Sequence, residues 1–350
     1  MAKSSTAVLA SIVALLWTIP VFAQKADSIA LRPAFGLDYI VEQQTDFQHF
    51  RMNNMLQLNA DIPISRHFSF IFSTISFAAT DSTPFAEDLQ VYSNIEAYNN
   101  IALAFAVAGI EWNINEEHSL FAGIRRIDED YFCSDALALF TNSSCGGFPT
   151  VTANFDIAAY PTASAGVHYA FEKENLTLQA SLYNGTGHYR FAGRENVFRI
   201  RPRSDGIFGI TQAEYRYQDS HYFLGASLHY GELYDTDGRK LRPTLWAYAE
   251  QKLFEDFTLI AAYSHSFAAD SPCRNFAGIG GRYDIGTARI GVFSDYTRIV
   301  GIDEWATEVT CNFDLSGHVS LQPVFHIIDT DHHTKCIGML RLNLSLCNPR

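Results

Sequence analysis

The sequence predicts an all-β chain: a transmembrane antiparallel β-barrel of about sixteen strands, with a long loop folded into the lumen. Three observations carry this reading. Apolar and polar residues alternate with period two in one stretch after another. Most of these stretches run about 11 residues, the length of a tilted membrane strand. Short links alternate with long ones, as in a barrel with tight turns at one end and loops at the other.

Composition agrees. The 350 residues are 47% hydrophobic, 14% aromatic and only 18% charged, with a formal net charge of −13. Soluble domains carry about 25% charged residues. Mean hydropathy is nevertheless −0.03, so the polar residues are mostly uncharged. The aromatic content speaks against disorder. Beyond the first residues no apolar run is long enough for a membrane helix. The acidic balance argues against a nucleic-acid partner.

The elements follow in order. Lys3, the apolar stretch Ala7 to Phe22 and the Val21-Phe22-Ala23 ending read as a secretory signal peptide over residues 1–23. Residues 24–350 then form a single barrel domain. Candidate strands are 31–41, 50–61, 66–78, 101–114, 117–127, 163–172, 175–185, 205–217, 221–231, 241–252, 256–268, 275–285, 287–297, 304–315, 317–329 and 336–346. Leu176, Leu178, Ala180 and Leu182 share one face of their strand, and Leu340, Leu342, Leu344 and Leu346 share one face of the last. Trp305, Thr307, Val309, Cys311 and Phe313 do the same. Tyr222, Leu224, Ala226, Leu228 and Tyr230 form an outer face with an aromatic at each end, as an interfacial girdle requires. Turns such as Asp219–Ser220 and Glu255–Asp256 alternate with the links 79–100, 128–162, 186–204, 232–240 and 330–335. An even strand count puts both termini on the periplasmic side of an outer membrane. Sixteen strands enclose an aqueous channel, whose inward face is expected to be uncharged and polar.

Other signals are weak. Asp329, Asp331, His332 and His333 lie in a link without a helical frame, which reads as a solvated loop, so no metal is expected. Gly278, Gly280 and Gly281 form no phosphate loop and mark bends or close backbones. No nucleophile motif of the G-x-S-x-G kind occurs, so no cofactor and no catalysis are expected. Of the six cysteines, Cys133 and Cys145 share a link and are the one pair considered for a disulfide; Cys311 and Cys336 fall on apolar faces.

Particular segments resemble the carbohydrate-selective, OprB-like porin family. They are Asp88 to Ala97, Ala122 to Arg125 continuing through Asp130-Tyr131-Phe132 to Phe140-Thr141-Asn142-Ser143-Ser144 and Pro149, and Trp305 to Leu346. The resemblance implies a sixteen-stranded porin of the outer membrane. Its permeants would be small sugars moving by passive diffusion, and its surroundings outer-membrane lipid. A homo-oligomer stays open, since no subunit interface is legible. The chain departs from the family at its end, where Leu346 replaces the usual aromatic, and at Cys133 and Cys145. The alternative from another class is a barrel enzyme such as a lipid hydrolase. An energy-coupled receptor would need a plug domain and more strands.

The candidate constriction follows from the links. The 128–162 link begins acidic (Asp128, Glu129, Asp130) and turns apolar, so it is expected inside the lumen. The 79–100 link, with Asn94 and Glu96, is the second candidate. Arg125 shares the inward register of Ser119, Phe121 and Gly123. Arg125 with Glu96 or Asp128 is expected to form a charged eyelet, and Phe121 or Tyr183 to stack on sugar faces.

Overall fold

The structure, a computed structural model, describes residues 32–86, 88–232 and 238–347. The expected leader, residues 1–23, lies outside them. Among the described residues, sixteen antiparallel strands close into a barrel. The strands are β1 (Ala34–Thr45), β2 (Phe50–Pro63), β3 (Phe68–Ala79), β4 (Ile101–Asn113), β5 (His118–Arg125), β6 (Ser164–Lys173), β7 (Leu176–Asn184) and β8 (Ile207–Tyr217). The second half comprises β9 (Ser220–Gly231), β10 (Lys240–Phe254), β11 (Phe257–Ser266), β12 (Cys273–Ile285), β13 (Ala288–Ile299), β14 (Ile302–Ser316), β15 (Val319–Thr330) and β16 (Thr334–Cys347).

Each strand pairs with its chain neighbours, and β1 pairs with β16 from Gly36↔Cys347 to Thr45↔Gly338. Closure leaves no open edge, which a lipid environment demands. The alternating faces read from sequence all point outward: Leu182, Leu224, Leu228, Val309, Leu340 and Leu342 are exposed on the barrel exterior. Aromatic rings sit at both ends of this band. Phe68 stacks on Trp112 at 5.8 Å near the short turns, and Tyr296 meets Trp305 at 4.9 Å near the long loops. β1 runs on to Thr45 rather than ending near residue 41, because Glu42 and Gln44 alternate inward and pair with both flanking strands.

The inward face departs from expectation. It is not uniformly polar: Tyr183, Phe208, Phe223, Trp246, Tyr248, Phe276 and Phe293 form an apolar inner wall across β7–β13. Glycines make room for the rings. Trp246 lies over its cross-strand neighbour Gly225, Tyr183 over Gly166 and Phe293 over Gly278 and Gly280, so a side chain at any of these glycines would run into the ring. This is the physical reason for the glycines near residue 280 that the sequence assigned to close backbones.

The wall is uneven. β5, β6 and β7 span 8, 10 and 9 residues, whereas β10 and β14 span 15. β4 pairs with β5 only from Ala108 to Asn113, leaving its upper part, 101–107, without a partner on that side. The 185–206 loop covers this notch from outside. Phe191 and Phe198 meet the outward ring of Phe105 at 4.8 and 5.7 Å, and Val197 is buried beside Ile124 and Ala163.

Candidate functional site

Two long loops, 80–100 and 126–163, fold into the lumen. The second docks by apolar burial. Phe132, Phe140, Phe148, Val151 and Phe155 join the inner-wall cluster. Phe148 is packed between Phe132 (4.9 Å), Phe276 (4.8 Å) and Tyr248 (5.7 Å). Pro149 opens a single helical turn, Pro149–Thr152, since its fixed φ and missing N–H suit that position. Beyond it Asn154 exchanges two hydrogen bonds with the Cys273 backbone, at 2.7 and 2.8 Å.

Wall carboxylates then hold the loop backbone. Glu308 accepts the amides of Thr141 and Asn142 at 2.9 Å. Glu250 accepts those of Ala136 and Leu137 at 2.9 and 3.1 Å. Two wall carboxyls thus fix four backbone donors of the loop that would otherwise be buried without a partner.

The 80–100 loop docks by polar contacts on β14, β16, β1 and β2. The Leu89 amide donates to Glu304 at 2.7 Å, and Arg51 holds both Glu96 oxygens, with Asn53 adding a third bond at 3.0 Å. Arg341 pairs with its cross-strand partner Glu42 and donates to Asn94 at 2.7 Å. The loops also bond to each other: the Asn94 amide donates to the Thr141 carbonyl at 2.7 Å, and the Ser143 amide to that of Val91 at 3.0 Å. Burial and the neighbouring charge of Glu304 push the Asp88 carboxyl up to about 8.

A cavity of about 1140 Å³ remains between the loops and the β1–β2 wall. Asn94, Glu96, Arg126, Asp128, Tyr160 and Arg341 line it, with Ile40, Met55 and Gln57 below. Arg126 binds Glu129 and lies 3.4 Å from Asp128, while its Nη1 has no hydrogen-bond partner among the described residues. Its guanidinium sits 5.5 Å from the Tyr160 ring. Burial raises the Asp128 carboxyl above its ordinary range, with Arg126 pulling the other way. The cavity therefore presents fixed donors, fixed acceptors and several aromatic rings, Tyr98, Phe132, Phe155 and Tyr160 among them.

The structure separates the six sequence candidates. Asn94, Glu96 and Asp128 line the cavity; Arg125, Asp130 and Phe121 do not. The expected pairing of Arg125 with Glu96 or Asp128 is corrected. Arg125 forms a bidentate pair with Asp130, at 2.6 and 2.5 Å, and lies 4.8 Å from Phe121. β5 ends at Arg125, and the short helical turn Ile127–Glu129 brings Asp130 back onto the strand end. Glu96 is claimed by Arg51 and Asp128 by Arg126. Phe121 is 1% exposed and Tyr183 3%, both covered by the loops, so neither ring faces the cavity. Cys133 and Cys145 are free thiols. Arg51, Arg126, Arg341 and Tyr160 were not legible as site residues; for Arg51 and Arg341 the inward strand parity was the available signal.

No protein-family model matches the chain, and no curated protein matches its sequence. Solved structures do match. The high-pH structure of Pseudomonas putida OprB superposes with a TM-score of 0.75 at 12% identity, over 90% of this chain and 94% of that one. A loop L8 deletion mutant of OmpT, an outer membrane protein of Vibrio cholerae, gives 0.62 at 8% identity, over 90% and 99%. The anion-selective porin from Comamonas acidovorans gives 0.60 at 8% identity, over 90% and 99%. The resemblance to OprB read from short segments thus extends over nearly the whole barrel, and the fold of the chain is that of the outer-membrane porins.

Proposed function

We propose that this chain is an outer-membrane porin through which small carbohydrates pass by diffusion, without chemistry on the permeant. The observation that carries the reading is the narrowed lumen. Among the described residues, two tethered loops leave a cavity of about 1140 Å³ whose mixed lining sets Asn94, Glu96, Arg126, Asp128 and Arg341 beside the Tyr160 ring and apolar side chains such as Met55 and Phe155. A sugar sheds water from many hydroxyls on entering a narrow pore. Pre-positioned donors and acceptors replace that water, and an aromatic face covers the apolar side of a pyranose. The porin fold and the likeness to OprB support the channel and the membrane; the preference for sugars rests on the cavity and on that likeness.

Liposome swelling tests it. Vesicles holding the refolded protein are expected to swell faster in mono- and disaccharides than in amino acids of equal size. Equal rates for both solute classes would remove the carbohydrate preference. Lipid hydrolysis without sugar permeation would overturn the porin reading altogether.

A further inference from the structure

The 185–206 loop has two parts: Thr186, Gly187 and His188 turn to the lumen cavity, which Glu195, Arg199 and Asp205 also border, whereas Phe191, Val197 and Phe198 lie on outward side chains of β4 and β5. Its composition stands apart. Residues 190–203 hold five of the chain's 25 basic residues, all arginine, and one acid, Glu195, in a chain of net charge −13. Arg199 is engaged by Asp205 at 2.5 Å and Ser204 at 2.9 Å. Arg190, Arg194, Arg201 and Arg203 are exposed and form no ion pair among the described residues.

Position gives this charge a meaning. The loop covers the notch above β5 from the outside, with Phe191 and Phe198 on the outward ring of Phe105. Phe198 and Ile200 remain 54% and 68% exposed, continuous with the apolar exterior of the barrel. Exposed apolar side chains interleaved with unpaired arginines, at the end of a lipid-facing wall, have the composition of an interfacial anchor. The apolar groups enter the acyl boundary while the cations stay at headgroup level.

We infer that segment 190–203 is a docking surface for phosphate-bearing lipid headgroups of the outer leaflet. Arg194, Arg201 and Arg203 hold phosphate oxygens, and Phe198 and Ile200 seat among the acyl chains. Guanidinium groups bind phosphate bidentately, which suits them to a fixed headgroup. The inference rests on the barrel spanning a membrane, as proposed above.

Native mass spectrometry of the full chain, refolded in detergent and titrated with bisphosphorylated lipid A, tests it. The wild-type protein is expected to retain the lipid. The variant Arg194→Ser/Arg201→Ser/Arg203→Ser is expected to bind it roughly ten- to a hundredfold more weakly, since each surface arginine contributes about a factor of five. Phe198→Ser/Ile200→Ser should weaken binding without changing its dependence on phosphate. The same lipid stripped of phosphate should bind wild type no better than it binds the arginine variant. Equal retention by variant and wild type, equal retention of the dephosphorylated lipid, or full competition by inorganic phosphate would overturn the assignment. So would loss of an oligomer in the arginine variant with lipid retention intact, which would assign the surface to a second copy. Sugar-dependent swelling of the same preparations reports the pore separately, so failure of the lipid site and failure of the channel are distinguishable.

Discussion

The two sides of this lumen are built on one strand pattern and fastened by different forces. On the β7–β13 side, the 126–163 loop buries Phe132, Phe148 and Phe155 against Trp246, Tyr248 and Phe276, and the space is filled. On the side of β14, β16, β1 and β2, the 80–100 loop is held by Glu304, Arg341, Glu42 and Arg51, and the cavity lies there. Inward parity is the same on both sides. What decides whether an inward position is wet is the loop that lies on it. Apolar packing is dense and fixes one conformation. A polar seat depends on charge balance, which pH and a permeant can perturb.

Substitutions can break this contrast. Phe148→Ala removes the centre of the apolar seat and should cost roughly 3–5 kcal/mol. Its signs are a lower thermal midpoint and a larger, noisier single-channel conductance. If the conductance stays quiet and unchanged, the filled side does not set the bore. Arg51→Ala leaves Glu96 buried without its partner and should cost about 3 kcal/mol or more. Protease sensitivity is expected to rise within 80–100 while 126–163 stays protected. Cleavage in both loops at once would make them a single unit and end the distinction.

Smaller effects sharpen it. Arg126→Ala should change sugar swelling rates and ion selectivity several-fold, because Arg126 lines the cavity. Arg125→Gln should change stability more than flux, because Arg125 faces Asp130 instead. The reverse ranking in swelling assays would restore the eyelet expected from sequence. The mildest test is pH. Asp88 carries a folded-state value raised from 3.8 to about 8, so the native protein binds the extra proton between those limits. Stability of the 80–100 seat is therefore full below about pH 4 and falls as pH rises toward 8. Hydrogen-exchange protection factors in that loop, corrected for the intrinsic pH dependence of amide exchange, should fall over this window in the wild type, and the fall should be reduced in Asp88→Asn.

Much of the fold was legible because the bilayer imposes a simple code. Strands such as Tyr222–Tyr230 and Gly338–Leu346 must show lipid one apolar face, so period two alone locates and orients them. The apolar run Ala136–Phe140 also betrayed a loop that leaves the solvent. The site was less legible. Glu42 and Arg341 are partners only because β1 closes onto β16, across 299 positions of chain. Arg126 escaped notice because the expected strand 117–127 gave it outward parity, whereas β5 stops at Arg125 and the chain turns inward there. Phe121 passed as a lumen aromatic because the pattern says inward without saying covered.

The sequence by itself determined the barrel, the outward faces and the two links that enter the lumen, since each follows from local patterning and length. Only the tertiary structure decided which carboxylate meets which arginine, which inward rings are sealed beneath a loop, and that Phe191, Val197 and Phe198 of the basic 185–206 loop cover the notch from outside. Those outcomes depend on contacts between residues far apart in the chain. Such contacts are set by closure and by the competition of several acids for few cations, and no local period encodes them.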